Sequence, residues 1–178
     1  MSTNRIIGEA GWVNPRRLPG GPNGRPLCRW CNLEVPQRRR TFCSRYCVHE
    51  HRLRSDPGYL RAQVYERDKG ICASCGCDTE MLRRVLWRAL RRLGRKRLSR
   101  SWLEILDALG VSAGRLFGRS SLWDADHIVP VVEGGGECDL SNIRTLCTGC
   151  HSRVTAQLRS RIKERRSPPG PDAPLISR

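Results

Sequence analysis

At 178 residues the chain has room for one ordinary domain, or for a compact core with a small satellite, and not for several large cores. Hydrophobic residues make up 38% and aromatics only 6%, which is little for stability by burial alone, so metal staples are expected to help hold it. A net charge of +16, from 33 basic against 17 acidic residues, points to a polyanionic partner; no apolar run approaches the ~20 residues of a membrane span, and no hydrophobic leader is evident.

Residues 1–27 are rich in Gly, Pro and Arg without sustained periodicity and are expected to form a flexible basic arm. A zinc-binding module is expected over 28–54. There Cys28-Arg-Trp-Cys31, eleven further residues and Cys43-Ser-Arg-Tyr-Cys47 bring four thiolates to spacings that converge tetrahedrally on Zn²⁺. His49 and His51 are alternative ligands that two complete Cys pairs make unnecessary. The loop carries Arg38, Arg39 and Arg40, placed to meet phosphate.

Ser55-Asp56-Pro57 reads as a helix start, a capping side chain followed by Pro at the first helical position, with the helix running to about Asp68. Cys72-Ala-Ser-Cys75 is a second zinc knuckle. Cys77 and Cys138 stand outside the pairs and read as small buried or incidental thiols. Residues 81–100 hold nine basic side chains and no acidic one. Leu82, Val85, Leu86, Ala89, Leu90 and Leu93 recur at helical spacing, leaving Arg83, Arg84, Arg88, Arg91, Arg92 and Arg95 on the other faces, with Lys96 and Arg97 just beyond. So many like charges repel one another unless phosphate neutralises them, so this helix is expected to face nucleic acid. In the next helix Ser101 and Glu104 form a capping-box pattern, Trp102, Ile105, Leu106 and Leu109 an apolar stripe, and Gly110 the end.

A strand is expected over Trp123–Val132, followed by a glycine-rich turn, a short return strand over Ile143–Leu146 and a helix from about Thr148. On that helix His151, Val154, Leu158 and Ile162 share one face. The proline-rich segment 167–178 is expected to be a disordered tail.

The chemistry concentrates between Asp126 and His151. A carboxylate, two imidazoles and a carboxamide fall within twenty-six residues, Asp126, His127, Asn142 and His151, beside the pair Cys147/Cys150. That is equipment for metal-dependent phosphodiester hydrolysis: an imidazole to take a proton from water, and donors to hold a cation against developing negative charge. Adjacent strand residues point to opposite faces, so Asp126 and His127 serve one site only if the strand bends or ends there, and the Asn142 amide is suited to bridging backbone groups across the glycine loop. Asp124, two residues before Asp126 on the same strand face, is a second candidate ligand. Arg144 is a candidate phosphate contact.

His127 precedes Asn142 by fifteen residues and Asn142 precedes His151 by nine, in the order Asp126-His127 … Asn142 … His151. This resembles the HNH, or ββα-metal, nuclease family. The wider pattern from Cys72-x-x-Cys75 through Asp-His-Ile-Val-Pro to Cys147-x-x-Cys150-His151 is similar to the zinc-stapled branch of that family, including the form carried by eukaryotic zinc-finger annealing-helicase translocases, over roughly Cys28–Arg165. No helicase motor is expected within these 178 residues. The resemblance implies an α+β fold with a small ββα-metal core in residues 55–166, a basic helical insertion at 80–122, and a zinc shared by Cys72, Cys75, Cys147 and Cys150. It implies that Asp126 and His151 ligate one catalytic divalent cation, Mg²⁺ or Mn²⁺, that His127 is the general base, and that Asn142 fixes the base-bearing loop. The products would carry a 5′ phosphate and a 3′ hydroxyl.

The expected function is thus a metal-dependent DNA endonuclease with limited sequence specificity, able to select by DNA structure and with RNA left open as a substrate, since phosphate contacts position a substrate without identifying bases. A non-catalytic zinc-dependent nucleic-acid adaptor or regulator is the alternative. An intracellular location, cytoplasmic or nucleoid/nuclear, suits reduced thiols. Double-strand cleavage by a single site would need a homodimer, a larger assembly or two successive cuts.

Overall fold

The computed structural model describes residues 13–93, 100–111, 121–136 and 139–166. Helices α1 (Arg45–Ser55), α2 (Pro57–Asp68), α3 (Thr79–Leu93) and α4 (Arg100–Ala108) precede strand β1 (Trp123–His127); strand β2 (Ile143–Cys147) and helix α5 (Thr148–Arg166) follow. The two strands form a two-stranded sheet, and the architecture is small α+β. The chain resolves into two compact units, one built on residues up to Lys69 and on His127–Arg144, the other on Gly70–Asp126 and on residues from Thr145 onward. In this division α2 falls with the cysteine module, on whose α1 it packs.

In the first unit the arm expected over 1–27 is ordered where it is described. Pro15–Arg17 make a turn of 3-10 helix, Gly20 pairs with Pro26, and Leu27 pairs with Glu34. The Glu34 carboxylate accepts from the Asn23 backbone N–H at 2.7 Å and from its side-chain amide at 2.6 Å. The small core is Cys28, Val35 and Cys47, with Trp30, Phe42 and Cys43 packed against it. Three of these six are thiols, so half of this small core consists of residues that could hold a metal ion. Helix α1 starts at Ser44, whose hydroxyl accepts from Cys47 N–H at 3.0 Å. Ser55 is its last residue, and the start of α2 rests on Asp56 alone, whose carboxylate accepts from Tyr59 N–H at 2.9 Å with Pro57 at the first helical position. Lys69 (φ 53°) and Gly70 (φ 77°) take left-handed conformations and end α2. From α2, Arg67 donates to the carbonyls of Leu140 and Ile143, the latter at 2.6 Å, and so fastens the 139–144 segment.

In the second unit Leu86 and Leu90 of α3 meet Leu106 of α4, Val111 and Leu122, with Leu82 and Trp102 at the margin. Fully burying each such leucine is worth about 1.5–3 kcal/mol, so this cluster is a main source of the unit's stability. The stripe expected on α3 is narrower than its sequence periodicity suggests, because Val85 is exposed. Asp78 caps α3, accepting from Glu80 and Met81 N–H at 3.0 and 2.8 Å. Arg100 is already helical, so Ser101 lies inside α4 rather than capping it. A second cluster, Cys72, Leu146 and Cys150 with Cys77, Cys147 and Val154, again places thiols in the core. Gly110 (φ 66°) closes α4, and a side chain there would collide with the Gly149 backbone, so two glycines permit close contact with the start of α5.

The strand expected to reach Val132 stops at His127. Pro130 cannot donate to a ladder, and residues Val131–Glu133 wind into a 3-10 turn closed by Gly134 (φ 99°). Among the described residues no helix is long and apolar enough to cross a membrane.

Candidate active site and zinc centres

The four Sγ atoms of Cys28, Cys31, Cys43 and Cys47 lie within 4.8 Å of one another, as do those of Cys72, Cys75, Cys147 and Cys150. A tetrahedral zinc with Zn–S bonds of about 2.3 Å sets its sulfurs roughly 3.8 Å apart. Cys75 and Cys147 are 3.8 Å apart; Cys31 to Cys43 and Cys43 to Cys47 are 3.4 and 3.3 Å. All eight are free thiols, far beyond disulfide bonding distance. The donor set and its spacing fit zinc. His49 and His51 are engaged elsewhere, His49 Nδ1 with the Tyr59 hydroxyl at 2.8 Å and His51 Nδ1 with the Ser55 hydroxyl at 3.1 Å.

The electrostatics of the thiols follow from the knuckle backbone. Burial pushes Cys28 and Cys72 up, but backbone N–H groups aimed at each sulfur outweigh it and bring them down to about 7 and about 6. Burial, with neighbouring thiols adding to it, pushes Cys43 and Cys147 up to about 12. The backbone N–H groups at Cys28 and Cys72 thus favour the thiolate form that metal binding requires. Arg153, one helical turn after Cys150, donates to its Sγ at 3.0 Å and holds that thiol down. The sequence reading missed this residue, although its i+3 spacing from Cys150 is the signal that would have found it. Cys77 is pushed up by burial and lies outside both quartets; Cys138 falls outside the described residues.

Within the second unit, Asp124 and Asp126 of β1 both approach His151 in the first turns of α5. His151 Nδ1 is 3.3 Å from Asp124 Oδ2, and Nε2 is 3.8 Å from Asp126 Oδ1. The alternation of the strand puts the two carboxylates on one face, and the ring reaches one with each nitrogen. The second distance is too long for a hydrogen bond, but two ligands each about 2.1 Å from one cation stand roughly 3–4 Å apart. One carboxylate oxygen and one imidazole nitrogen at this separation fit a divalent ion. With Nδ1 facing Asp124, Nε2 would be the atom left to meet a cation, the arrangement in which a second carboxylate fixes the tautomer of a metal-binding histidine. All three side chains remain partly exposed.

Within the first unit, His127 ends β1 and Asn142 ends the 3-10 turn Leu140–Asn142. Asn142 Oδ1 accepts from Val129 N–H at 2.8 Å, while its amide N–H groups donate to the Val129 and Gly135 carbonyls at 3.1 and 3.2 Å. Its own carbonyl accepts from Ile128 N–H at 2.8 Å. Gly135 has no room for a side chain, which would strike the Val129 carbonyl and the Asn142 amide. One carboxamide thus closes the loop that follows His127.

Of the basic residues, Arg38, Arg39 and Arg40 are exposed on the loop before α1, and Arg144 is half-buried on β2. Arg83, Arg84, Arg88, Arg91 and Arg92 lie on α3, while Arg95, Lys96 and Arg97 fall outside the described residues.

These features define a class, an HNH domain with two four-cysteine clusters that could hold zinc, and sequence comparison agrees on the HNH family. Residues 114–157 match the HNH endonuclease family model. The chain is 38% identical over 144 residues to the DNA annealing helicase and endonuclease ZRANB3 of Mus musculus, and 35% identical over 154 residues to that of Homo sapiens. These alignments cover 75% and 80% of this chain but 14% of each relative, so the chain spans about one-seventh of the length of those curated proteins. It is also similar to the solved human ZRANB3 HNH domain, at 34% identity over 64% of this chain and 98% of that one, with a TM-score of 0.40. The chain belongs to the HNH endonuclease family.

Proposed function

We propose that this protein is a metal-dependent DNA endonuclease that hydrolyses phosphodiester bonds one strand at a time. The observation that carries the reading is the pairing of Asp126 and His151 at a separation suited to one cation, with Asp124 behind the imidazole. In this reading Asp126 and His151 Nε2 hold a single Mg²⁺ or Mn²⁺, which when bound supplies positive charge to a phosphate oxygen and to the departing 3′ oxygen. His127 follows Asp126 directly in the chain, and its imidazole takes the proton from the attacking water. Asp124 positions His151 by accepting from Nδ1–H. Asn142 fixes the loop that begins after His127, so that the base keeps one orientation. The arginines of α3 and of the 38–40 loop bind phosphate, which holds the strand without reading its bases.

Plasmid nicking tests the reading. The zinc-loaded protein with Mg²⁺ or Mn²⁺ is expected to convert supercoiled DNA to the open circle, and His127→Ala to lose about 10²–10⁴ of that rate. Equal nicking by both proteins would remove the proposed base. No nicking by the parent across a panel of duplex, nicked, forked and single-stranded DNA and RNA would favour a zinc-dependent binding module instead.

A further inference from the structure

The compact unit that carries the loop after His127 is not the one that carries the proposed cation ligands. Residues His127–Arg144 fold with the amino-terminal cysteine module and α2, although residues 70–126 separate them in the chain, while Asp126 and His151 lie in the other unit. We propose that the amino-terminal zinc module is part of the nuclease apparatus, and that Arg67 of α2 is the positioning residue through which it holds the loop after His127. The inference rests on the reading of the protein as a nuclease with His127 as its base, and it gives the first zinc a task beyond keeping its own module folded.

The connection is a run of short contacts within one unit. Cys47 stands in the first turn of α1, behind the Ser44 cap, so a zinc on the first quartet fixes where that helix starts. Helix α1 packs on α2, where His49 Nδ1 and the Tyr59 hydroxyl are 2.8 Å apart and the Arg52 guanidinium lies 4.0 Å from the centre of the Tyr59 ring. Arg67 follows on the same helix, about 12 Å further along the axis. Its guanidinium donates to the Leu140 carbonyl and, at 2.6 Å, to the Ile143 carbonyl, while the Asp68 carboxylate accepts from it at 2.6 and 2.9 Å. Those two carbonyls bracket Asn142, whose side chain closes the loop after His127.

A guanidinium is planar and presents its donors at fixed angles, so it holds two carbonyls and a carboxylate at a set spacing; an ammonium is a point charge on a flexible stem. Water would satisfy the same carbonyls but impose no geometry on the turn. Hydrogen bonds from a charged donor are also among the stronger ones, and here two of them act on one short stretch of backbone. Nε, Nη1 and Nη2 of Arg67 all donate within the protein, which suits a strut better than a phosphate contact.

The test compares the full-length parent with Arg67→Met, Arg67→Lys, Cys43→Ser and the double variant of Cys43→Ser with Arg67→Met, the zinc content of each being measured. Hydrogen exchange needs no cleavage: Arg67→Met should keep both zinc ions yet exchange the Ile128 and Val129 amides about 10-fold faster, with the Leu86 and Leu90 amides unchanged. Nicking should lose about 10- to 100-fold in kcat at nearly constant KM, and Arg67→Lys should regain part of that loss. The kcat losses of Cys43→Ser and Arg67→Met should fail to add in the double variant, as expected of groups acting along one connection. Unchanged exchange at Val129 in Arg67→Met overturns the proposal without any cysteine variant having to fold. So does a raised KM at constant kcat, which would make Arg67 a phosphate contact, and so do fully additive losses, which would separate the zinc module from Arg67. A parent that never nicks, while Arg67→Met still frees Val129, sinks the nuclease reading and keeps the hold on the loop; a parent that nicks while exchange stays unchanged sinks only this inference.

Discussion

Replacing Asn142 by Ala isolates what holds the loop after His127. The substitution deletes three hydrogen bonds, to Val129 N–H, the Val129 carbonyl and the Gly135 carbonyl, and leaves the backbone bond from Ile128 untouched. A net 0.5–1.5 kcal/mol is typical for each such bond; the two to Val129 are solvent-exposed and belong at the low end, so the loop should open more easily by about 2 kcal/mol. At about 1.4 kcal/mol per factor of ten, the Val129 amide should exchange with deuterium roughly 30-fold faster, while amides in the Leu86–Leu90 core stay protected. His127 lies two residues from Val129, and a misplacement of about 1 Å costs on the order of 10²-fold in rate, so nicking should fall mainly in kcat. Asn142→Asp should do no better, since it keeps the acceptor but turns a second oxygen on two carbonyls. Gly135→Ala should reproduce the loosening by pushing the same partners apart. Hydrogen exchange read by mass spectrometry, beside single-turnover nicking, checks this. Unchanged exchange at Val129 together with lost nicking would refute the clamp and assign Asn142 a chemical role.

Asp124→Asn should weaken Mn²⁺ binding about 10–100-fold by calorimetry, because the Nδ1 side of His151 loses its carboxylate while both ligands remain; unchanged affinity would remove Asp124 from the site. Elemental analysis should find two zinc ions per chain, and Cys43→Ser or Cys147→Ser should each leave one, with strong chelators unfolding the chain by circular dichroism and mild removal of the catalytic cation leaving it folded. Gly149→Ala should lower thermal stability by about 1–3 kcal/mol, since its methyl would sit 2.9 Å from the Leu109 carbonyl oxygen. Asp56 is held below the ordinary carboxylate range by the Tyr59 N–H and then by Arg52. Its contribution to stability is therefore present above about pH 4 and lost as pH falls through its lower folded value. Melting curves of the parent and Asp56→Ala should converge in that acid window and separate above it.

Much of this protein could be read without coordinates because its signals are local. Two thiols separated by two residues, a cap beside a proline, and leucines at helical spacing each act within a turn or two, so both knuckles, α2 and the core face of α3 stood in the primary structure. The Asp126, His127, Asn142, His151 order was legible for a different reason: family spacing preserves an arrangement whose members are distant in the chain. What the sequence did not disclose were contacts set by the path of the backbone. The end of β1 at His127 follows from Pro130 and the 3-10 turn over Val131–Glu133, which a strand pattern carried on to Val132 did not register, whereas the Asn142 bridge across the next loop was already suggested by its amide. Val85 is out of the core because α4 and Leu122 cover only part of the apolar arc. Most of all, the choice between Asp124 as ligand and Asp124 as support was open from sequence, since both carboxylates share one strand face. Which ring nitrogen of His151 each one meets, Nδ1 for Asp124 and Nε2 for Asp126, is a matter of how α5 leaves β2 in three dimensions, and it is the ground on which Asp124 is proposed as a support.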